Sequence, residues 1–238
     1  MIGIKFIDGI AVMSNIKAKF PKTYHFPWSL GIQSDDKVFK TLSHFKGKEV
    51  VITEKMDGEN TTLASAYYHA RSLDSAFNWT RSWVAKMHSV MRFDIPDDIK
   101  LVGENLFAEH AIRYPDGHLE SYFYLFSAWK DLSDGTDFCL DYDETVEYAE
   151  LLDIPMPKVI DRFVFDEKKL VEIALSLDPS VTEGYVVRTV EGFHRKDFKQ
   201  HVGKYVRKDH VQDNSEHWLK NAVQNGKLAD VIKPYYMG

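Results

Sequence analysis

Lys55 stands two residues before Asp57 and Gly58 in the run TEKMDGENTT, Thr53 to Thr62. Downstream come EGYVVR, Glu183 to Arg188, and the basic run GKYVRKDH, Gly203 to His210. A lysine amine has an unperturbed pKa of about 10.4, so only roughly 0.1% of it is neutral at physiological pH. To act as a nucleophile it must be partly desolvated or lie near other cations. The apolar triplet Val50, Val51 and Ile52 just before it would supply burial, and Arg188 and Lys204 the positive charge. The bland alternative is a solvent-facing lysine in a turn, paired with Glu54 or Asp57. Lys-x-Asp-Gly arises by chance in roughly one chain of this length in twenty. The nucleophile reading therefore rests on the order of the three runs, not on the first alone.

The elements around these runs follow from pattern and turn residues. Glu49 to Thr53 reads as a strand and Thr61 to Tyr68 as its return, with Gly58 in the connection. Phe77, Val84, Met87 and Met91 recur at helical spacing, which predicts a helix from Asp74 or Ser75 to about Met91. Strands are expected at Lys100–Gly103 and Tyr122–Trp129. Helices are expected at Asp143–Leu152, stopped by Pro155, and at Asp166–Leu177, stopped by Pro179. Val181–Thr189 and His201–Val206 read as paired strands, and Ser215–Asn225 as a helix with Ser215 as N-cap and Gly226 at its stop. Strands joined by turns with helices inserted between them indicate an α+β fold built on antiparallel sheets. In EGYVVR, alternation sends Glu183, Tyr185 and Val187 to one face and Val186 and Arg188 to the other. On a regular strand Glu183 and Arg188 would not share a site.

These motifs resemble the covalent nucleotidyltransferases, which comprise the ATP- and NAD-dependent polynucleotide ligases and the messenger-RNA capping enzymes. Glu54 before the lysine and Asn60 five residues after it are similar to ATP-dependent RNA ligases of the small phage and bacterial group. The resemblance implies a nucleotidyltransferase domain of antiparallel sheets with flanking helices, and a lysyl-adenylate on Lys55. It implies that Glu54 reads the adenine edge, that Asn60 lies near the ribose or the RNA end, and that Asp57 and Gly58 close the turn under the phosphates, with Asp57 near metal-bound water. HARS, His69 to Ser72, resembles the ribose-contacting motif and would place Arg71 by the sugar. VGENLF, Val102 to Phe107, supplies Glu104, and YFYLFSAW, Tyr122 to Trp129, supplies Phe126 as the stacking aromatic, although such a strand would be core in any case. Glu183 matches the metal-associated glutamate, and Arg188 occupies a position commonly held by lysine. The family's last motif is a lysine pair spaced by one residue. Here the run is Lys204-Tyr-Val-Arg207-Lys208, so Lys204 would meet the α-phosphate while Arg207 or Lys208 faces substrate. ATP and Mg²⁺, or Mn²⁺ in its place, are the implied cofactors, Glu104 and Glu183 the metal-associated residues, and RNA ends, nicked or single-stranded, the implied partner. KTYHFPWSLG, Lys22 to Gly31, with Asp35 and Asp36, also resembles an N-terminal block of that group. It would cover the nucleotide or touch RNA through His25, or pack as an irregular arm.

Composition bounds the same reading. The chain has 238 residues, 44% aliphatic and aromatic, which is ample for a globular core. It has neither an apolar run of membrane-spanning length nor a signal-peptide core, so no membrane partner is expected. The single Cys139 excludes a disulfide framework and a cysteine zinc site, which makes a reducing cytoplasm the expected location. Net charge is −6, against binding of nucleic acid by bulk charge. Residues 131–153 hold nine acidic residues and no Lys or Arg, while Phe193 to His210 hold six Lys and Arg. This predicts a basic face for local phosphate capture in which Arg195, Lys196 and Lys199 join Arg207 and Lys208. Only 30 residues follow Lys208, too few for the OB-fold that DNA ligases and capping enzymes append. The expectation is one nucleotidyltransferase domain, with an N-terminal arm (1–45), a core (46–210) and a C-terminal helix and tail (211–238). The function expected is RNA ligation; a DNA or mixed-polynucleotide ligase and a non-catalytic nucleic-acid-binding relative are the alternatives.

Overall fold

The computed structural model describes residues 5–7, 10–12, 17–74, 76–178, 182–208 and 222–229. The strands are β1 (Lys5–Ile7), β2 (Ile10–Val12), β3 (Tyr24–His25), β4 (Glu49–Lys55), β5 (Glu59–Ala64), β6 (Tyr67–Ala70), β7 (Ile99–Asn105), β8 (Phe123–Asp131), β9 (Asp137–Cys139), β10 (Val159–Val164), β11 (Gly184–Thr189), β12 (Phe193–His194) and β13 (Val202–Val206). The helices are α1 (Ser82–Met91), α2 (Tyr142–Leu151) and α3 (Glu167–Ser176). A five-stranded sheet runs β10-β4-β11-β13-β3 and a six-stranded sheet runs β12-β9-β8-β7-β5-β6, with β1 and β2 as a separate pair. Pairing is antiparallel throughout except for β13 with β3. The α+β reading with antiparallel sheets holds.

Each sheet buries one face under helices. Leu63, Leu101 and Leu125 of the six-stranded sheet pack against Val84, Met87 and Met91 of α1 and Ala149 of α2. Val50, Ile52, Tyr185 and Val187 of the five-stranded sheet pack against Leu170 and Ile173 of α3. The opposite faces meet where Val102 and Trp129 of one sheet join Val186 and Val202 of the other. In β4, Val50 and Ile52 point to the α3 core, so alternation turns Val51, Thr53 and Lys55 toward the space between the sheets.

Several local expectations shift. The predicted return strand is a hairpin of β5 and β6. The helix predicted from Asp74 or Ser75 begins at Ser82, after a 3-10 turn at Trp79–Arg81 capped by Asn78, whose side chain accepts from Thr80 N–H. Phe77, placed on the core face by periodicity, is therefore outside the helix and 65% exposed. α2 carries a capping box between Asp141 and Glu144, and α3 is capped by Asp166. Within the otherwise irregular N-terminal block, Tyr24 and His25 form the edge strand of the five-stranded sheet, with His25 opposite Lys204. β10 escapes the sequence pattern because it is a half-exposed edge strand. Ser215 to Asn221 of the predicted terminal helix lie outside the described residues, while 222–225 are not helical and Gln224 bridges to Ala108.

Candidate active site

A cavity of about 580 Å³ opens between the two sheets, within the usual range for small-molecule sites. Lys55 ends β4 on its wall, directly opposite Gly184 of β11. A Cβ on Gly184 would lie 2.0 Å from the Tyr205 carbonyl oxygen, so only glycine allows β11 this close to β13. Lys55 Nζ lies 2.5 Å from Glu183 Oε2, with the lysine side chain 16% exposed and the glutamate 2%. Burial alone would lower the lysine pKa, but Glu183, Glu104 and Asp57 outweigh it and raise it. The expected effect of Arg188 and Lys204 is thus reversed: the groups that dominate around the amine are carboxylates.

Glu104 faces Lys55 across the cavity from β7, and its Oε1 accepts from Gly58 N–H at 3.2 Å. Burial, with Glu183 and Asp57 nearby and despite Lys55, pushes its carboxyl up to about 8. Gly58 also fits tightly, since a Cβ there would meet the Asn105 carbonyl oxygen at 2.4 Å. Asp57 does not reach the cavity. It is fully buried, its Oδ2 accepts from Ile112 N–H at 2.7 Å and its own N–H donates to the Tyr114 hydroxyl at 3.0 Å. Its observed part is to lock the turn, which corrects the expected contact with metal-bound water.

Phe126 and Val186 line the cavity from opposite sheets. Phe126 is the extra residue of a bulge: Val102 pairs with Ser127 and Gly103 with Leu125, which skips it. Bulges re-aim side chains, and here Phe126 and its neighbour Ser127 both reach the cavity. Phe20 meets the Phe126 ring edge-on at 5.6 Å. Glu54 and Asn60 also line the space. Burial raises the Glu54 pKa, and Thr182 donates to its Oε1 at 3.4 Å. Asn60 Oδ1 is buried without a hydrogen-bond partner. Arg71 is exposed at the rim, and its N–H donates to the Asn60 carbonyl at 2.9 Å.

Glu183 and Arg188 both reach the cavity, against the simple alternation argument. The reason is that Glu183 precedes β11 by one residue, so the strand's pleat does not govern it. Arg188 is 6% exposed and bridges the sheets, donating to the Leu140 carbonyl at 2.8 Å and the Thr189 carbonyl at 3.2 Å. Lys204 lies on the same wall, with Nζ 3.8 Å from Asp36 Oδ1. Burial, and then the charge of Lys55, lowers its pKa.

The group that surrounds Lys204 comes from the N-terminal block singled out in the sequence. His25 is fully buried, its Nδ1 is 2.7 Å from Ser29 Oγ and its Nε2 is 3.1 Å from Asp36 Oδ2 without hydrogen-bond alignment. Burial and Lys204 press its pKa down to about 4. Sequence reasoning missed Arg81 on the cavity wall, which forks onto Glu59 at 2.7 and 2.5 Å. Glu59 within the first motif was the available signal for an internal cation.

The expected substrate-facing cations are not brought to the cavity. Arg195 turns its guanidinium onto Asp137 at 2.6–2.8 Å and lies over the Trp129 ring. Asp137 also lies 3.2 Å from Lys100 Nζ. The acidic and basic stretches thus meet in an internal network at this point. Lys196, Lys199 and Lys208 are exposed, and Arg207 donates to the Thr182 carbonyl at 3.0 Å.

Among the described residues no group of three His, Cys, Asp or Glu is arranged to hold a metal directly. Two carboxylates on one cavity, one of them with its pKa raised by burial and like charge, instead form a donor set that suits a hydrated divalent ion.

The RNA ligase family matches residues 48–206, and the chain belongs to that family. An archaeal ATP-dependent RNA ligase (form 1) has a similar structure, with a TM-score of 0.54 at 16% identity over 84% of this chain and 50% of the other. An RNA ligase of Naegleria gruberi, as a mutant with ATP and Mn, gives 0.49 at 15% identity over 87% and 63%. At 16% identity the likeness to the archaeal ligase speaks for the fold alone. The chain spans about half the length of the archaeal ligase. No curated protein matches the sequence. Among the described residues, no helix is long and apolar enough to cross a membrane.

Proposed function

We propose that the chain is the nucleotidyltransferase unit of an ATP-dependent RNA ligase that joins 5′-phosphate to 3′-hydroxyl ends through a lysyl-adenylate on Lys55. The observation that carries this reading is the convergence of Lys55, Glu183, Glu104, Lys204 and Phe126 on one cavity. In the first step the Lys55 amine forms a P–N bond to the α-phosphate of ATP and the bond to pyrophosphate breaks. Glu183, at 2.5 Å, is placed to hold the proton that leaves the ammonium. Lys204 offers a cation to the charge that develops on the phosphate. Phe126 and Val186 provide apolar surfaces for the base, with Glu54 at its edge and Arg71 and Asn60 toward the sugar. The adenylyl group then passes to the RNA 5′-phosphate, and the 3′-hydroxyl displaces AMP. A Mg²⁺ or Mn²⁺ ion held through water by Glu104 and Glu183 would neutralise phosphate charge. Asp57 and Arg188 act on the site by fixing the turn and joining the sheets.

Incubation with labelled ATP, GTP or NAD and Mg²⁺ tests the first step: the expected result is a covalent adduct with ATP alone. Sealing of all-RNA and all-DNA nicks then tests the substrate. Absence of any adduct would return the chain to a non-catalytic binding role.

A further inference from the structure

Two aromatic side chains flank a cavity-lining residue, Asn78, and are exposed in whole or part. Phe77 is 65% exposed and Trp79 41%. Asn78 between them lines the cavity, as do Arg71 and Ser72 before them and Arg81 after them. The stretch is held firmly although little of it is regular. Arg81 Nη1 donates to the Ala76 carbonyl at 2.7 Å while the rest of its guanidinium forks onto Glu59. Asn78 Oδ1 accepts from Thr80 N–H at 3.0 Å, and Asn105 Nδ2 donates to the Thr80 carbonyl at 3.0 Å. The edge of Trp79 meets Phe107, with ring centroids 5.9 Å apart. Buried polar anchors therefore fix a backbone that leaves Phe77 largely and Trp79 partly in water. Aromatic rings held in place at the surface in this way are suited to contact a partner.

The cavity mouth determines what meets that surface. If the site is that of an RNA ligase, the ends to be joined must reach Lys55, so the nucleotides next to those ends cross the rim. Arg71, exposed at the same rim, supplies a cation for their phosphates. We propose that Phe77 and Trp79 form a stacking platform for unpaired bases of the RNA strand beside the end being joined, so that the end taken is single-stranded. A base inside a duplex has both faces covered by its neighbours, whereas an unpaired base offers a face to an aromatic ring. The proposal rests on the RNA-ligase reading.

The test measures binding separately from catalysis. Anisotropy of a fluorescent 5′-phosphorylated single-stranded oligoribonucleotide gives Kd for the wild-type chain and for Phe77→Ala, Trp79→Ala and Trp79→Phe, each checked by thermal melt. Loss of either ring should weaken binding about tenfold, Trp79→Phe should restore most of it, and the rate of self-adenylation with ATP should stay unchanged. An oligonucleotide made abasic near its 5′ end should bind the wild type more weakly and the Ala variants no more weakly still. Unchanged Kd in both Ala variants, equal weakening toward a nicked duplex, or no binding of single strands by the wild type would overturn the platform. Failure of the ligase reading is a separate result, the absence of adenylate in the wild type.

Discussion

Glu183 Oε2 sits 2.5 Å from Lys55 Nζ in the interior of the cavity, 128 residues away in sequence. Burial disfavours the ammonium, but Glu183 together with Glu104 and Asp57 outweighs it, so the amine stays protonated when no phosphate is near. The unliganded lysine is thereby held in place and chemically quiet. Lys55→Ala and Lys55→Arg should both abolish the labelled adduct, since a guanidinium is not deprotonated near neutrality. An adduct of undiminished yield, or one mapped to another lysine, would refute the assignment.

Glu183→Gln removes the charge that raises the Lys55 pKa and leaves the shape of the side chain. The pH at which Lys55 is acylated by a small amine-reactive reagent should therefore move lower, while adenylation falls about 100-fold. Peptide mapping of the acylated lysine across pH reads the first effect, and labelled ATP the second. A reactive pH that stays in place would show that the pair does not control the amine.

Glu104 supplies a stability signature. Its carboxyl titrates near 8 when folded, against an ordinary 4.5. The folded state binds more protons than the unfolded state between those values, so stability falls as pH rises through that window and levels off above it. Glu104→Gln has no such titration. The difference in thermal midpoint in favour of the variant should widen from pH 5 to pH 8, and a constant difference would remove Glu104 from this role.

Arg195 should behave as a structural residue. Arg195→Ala leaves Asp137, whose side chain is 9% exposed, paired with Lys100 at 3.2 Å. The expected loss is about 2–3 kcal/mol, below that of a fully buried orphaned charge because Lys100 compensates in part. Urea unfolding measures it. Replacing the exposed Lys196 and Lys199 by Ala should leave stability within about 0.5 kcal/mol and lower only the salt dependence of RNA binding.

The sequence made the cavity's titratable residues legible, because chemistry restricts which types can serve there. Lys55, Glu104 and Lys204 come from three different strands and Glu183 from the residue before a fourth, and still they meet. The motifs were equally visible for Asp57 and Arg188, but not their surroundings. Whether a side chain points at substrate or at a neighbouring carbonyl depends on packing between segments far apart in sequence, as with Asp57 and the Ile112 amide. Phe77 shows the same limit in the fold. It fits a helical period, yet the Arg81–Glu59 fork and the Asn78 cap start the helix later and leave the ring outside. His25 carried too little local pattern to reveal a two-residue strand whose partner lies near residue 204.

The strand order of the five-stranded sheet has a consequence for how the protein is made. β4, with Lys55, leaves the ribosome early, but β11 and β13, which pair beside it and against β3, follow only after residue 183. Pairings of such long sequence separation form late. Until those strands are made, the nascent chain therefore carries Lys55 without Glu183 and Lys204 beside it. A chain halted before residue 202 would lack β13 entirely, leaving β3 without a partner. Competence to accept a nucleotide is thus acquired only once β13 has been made.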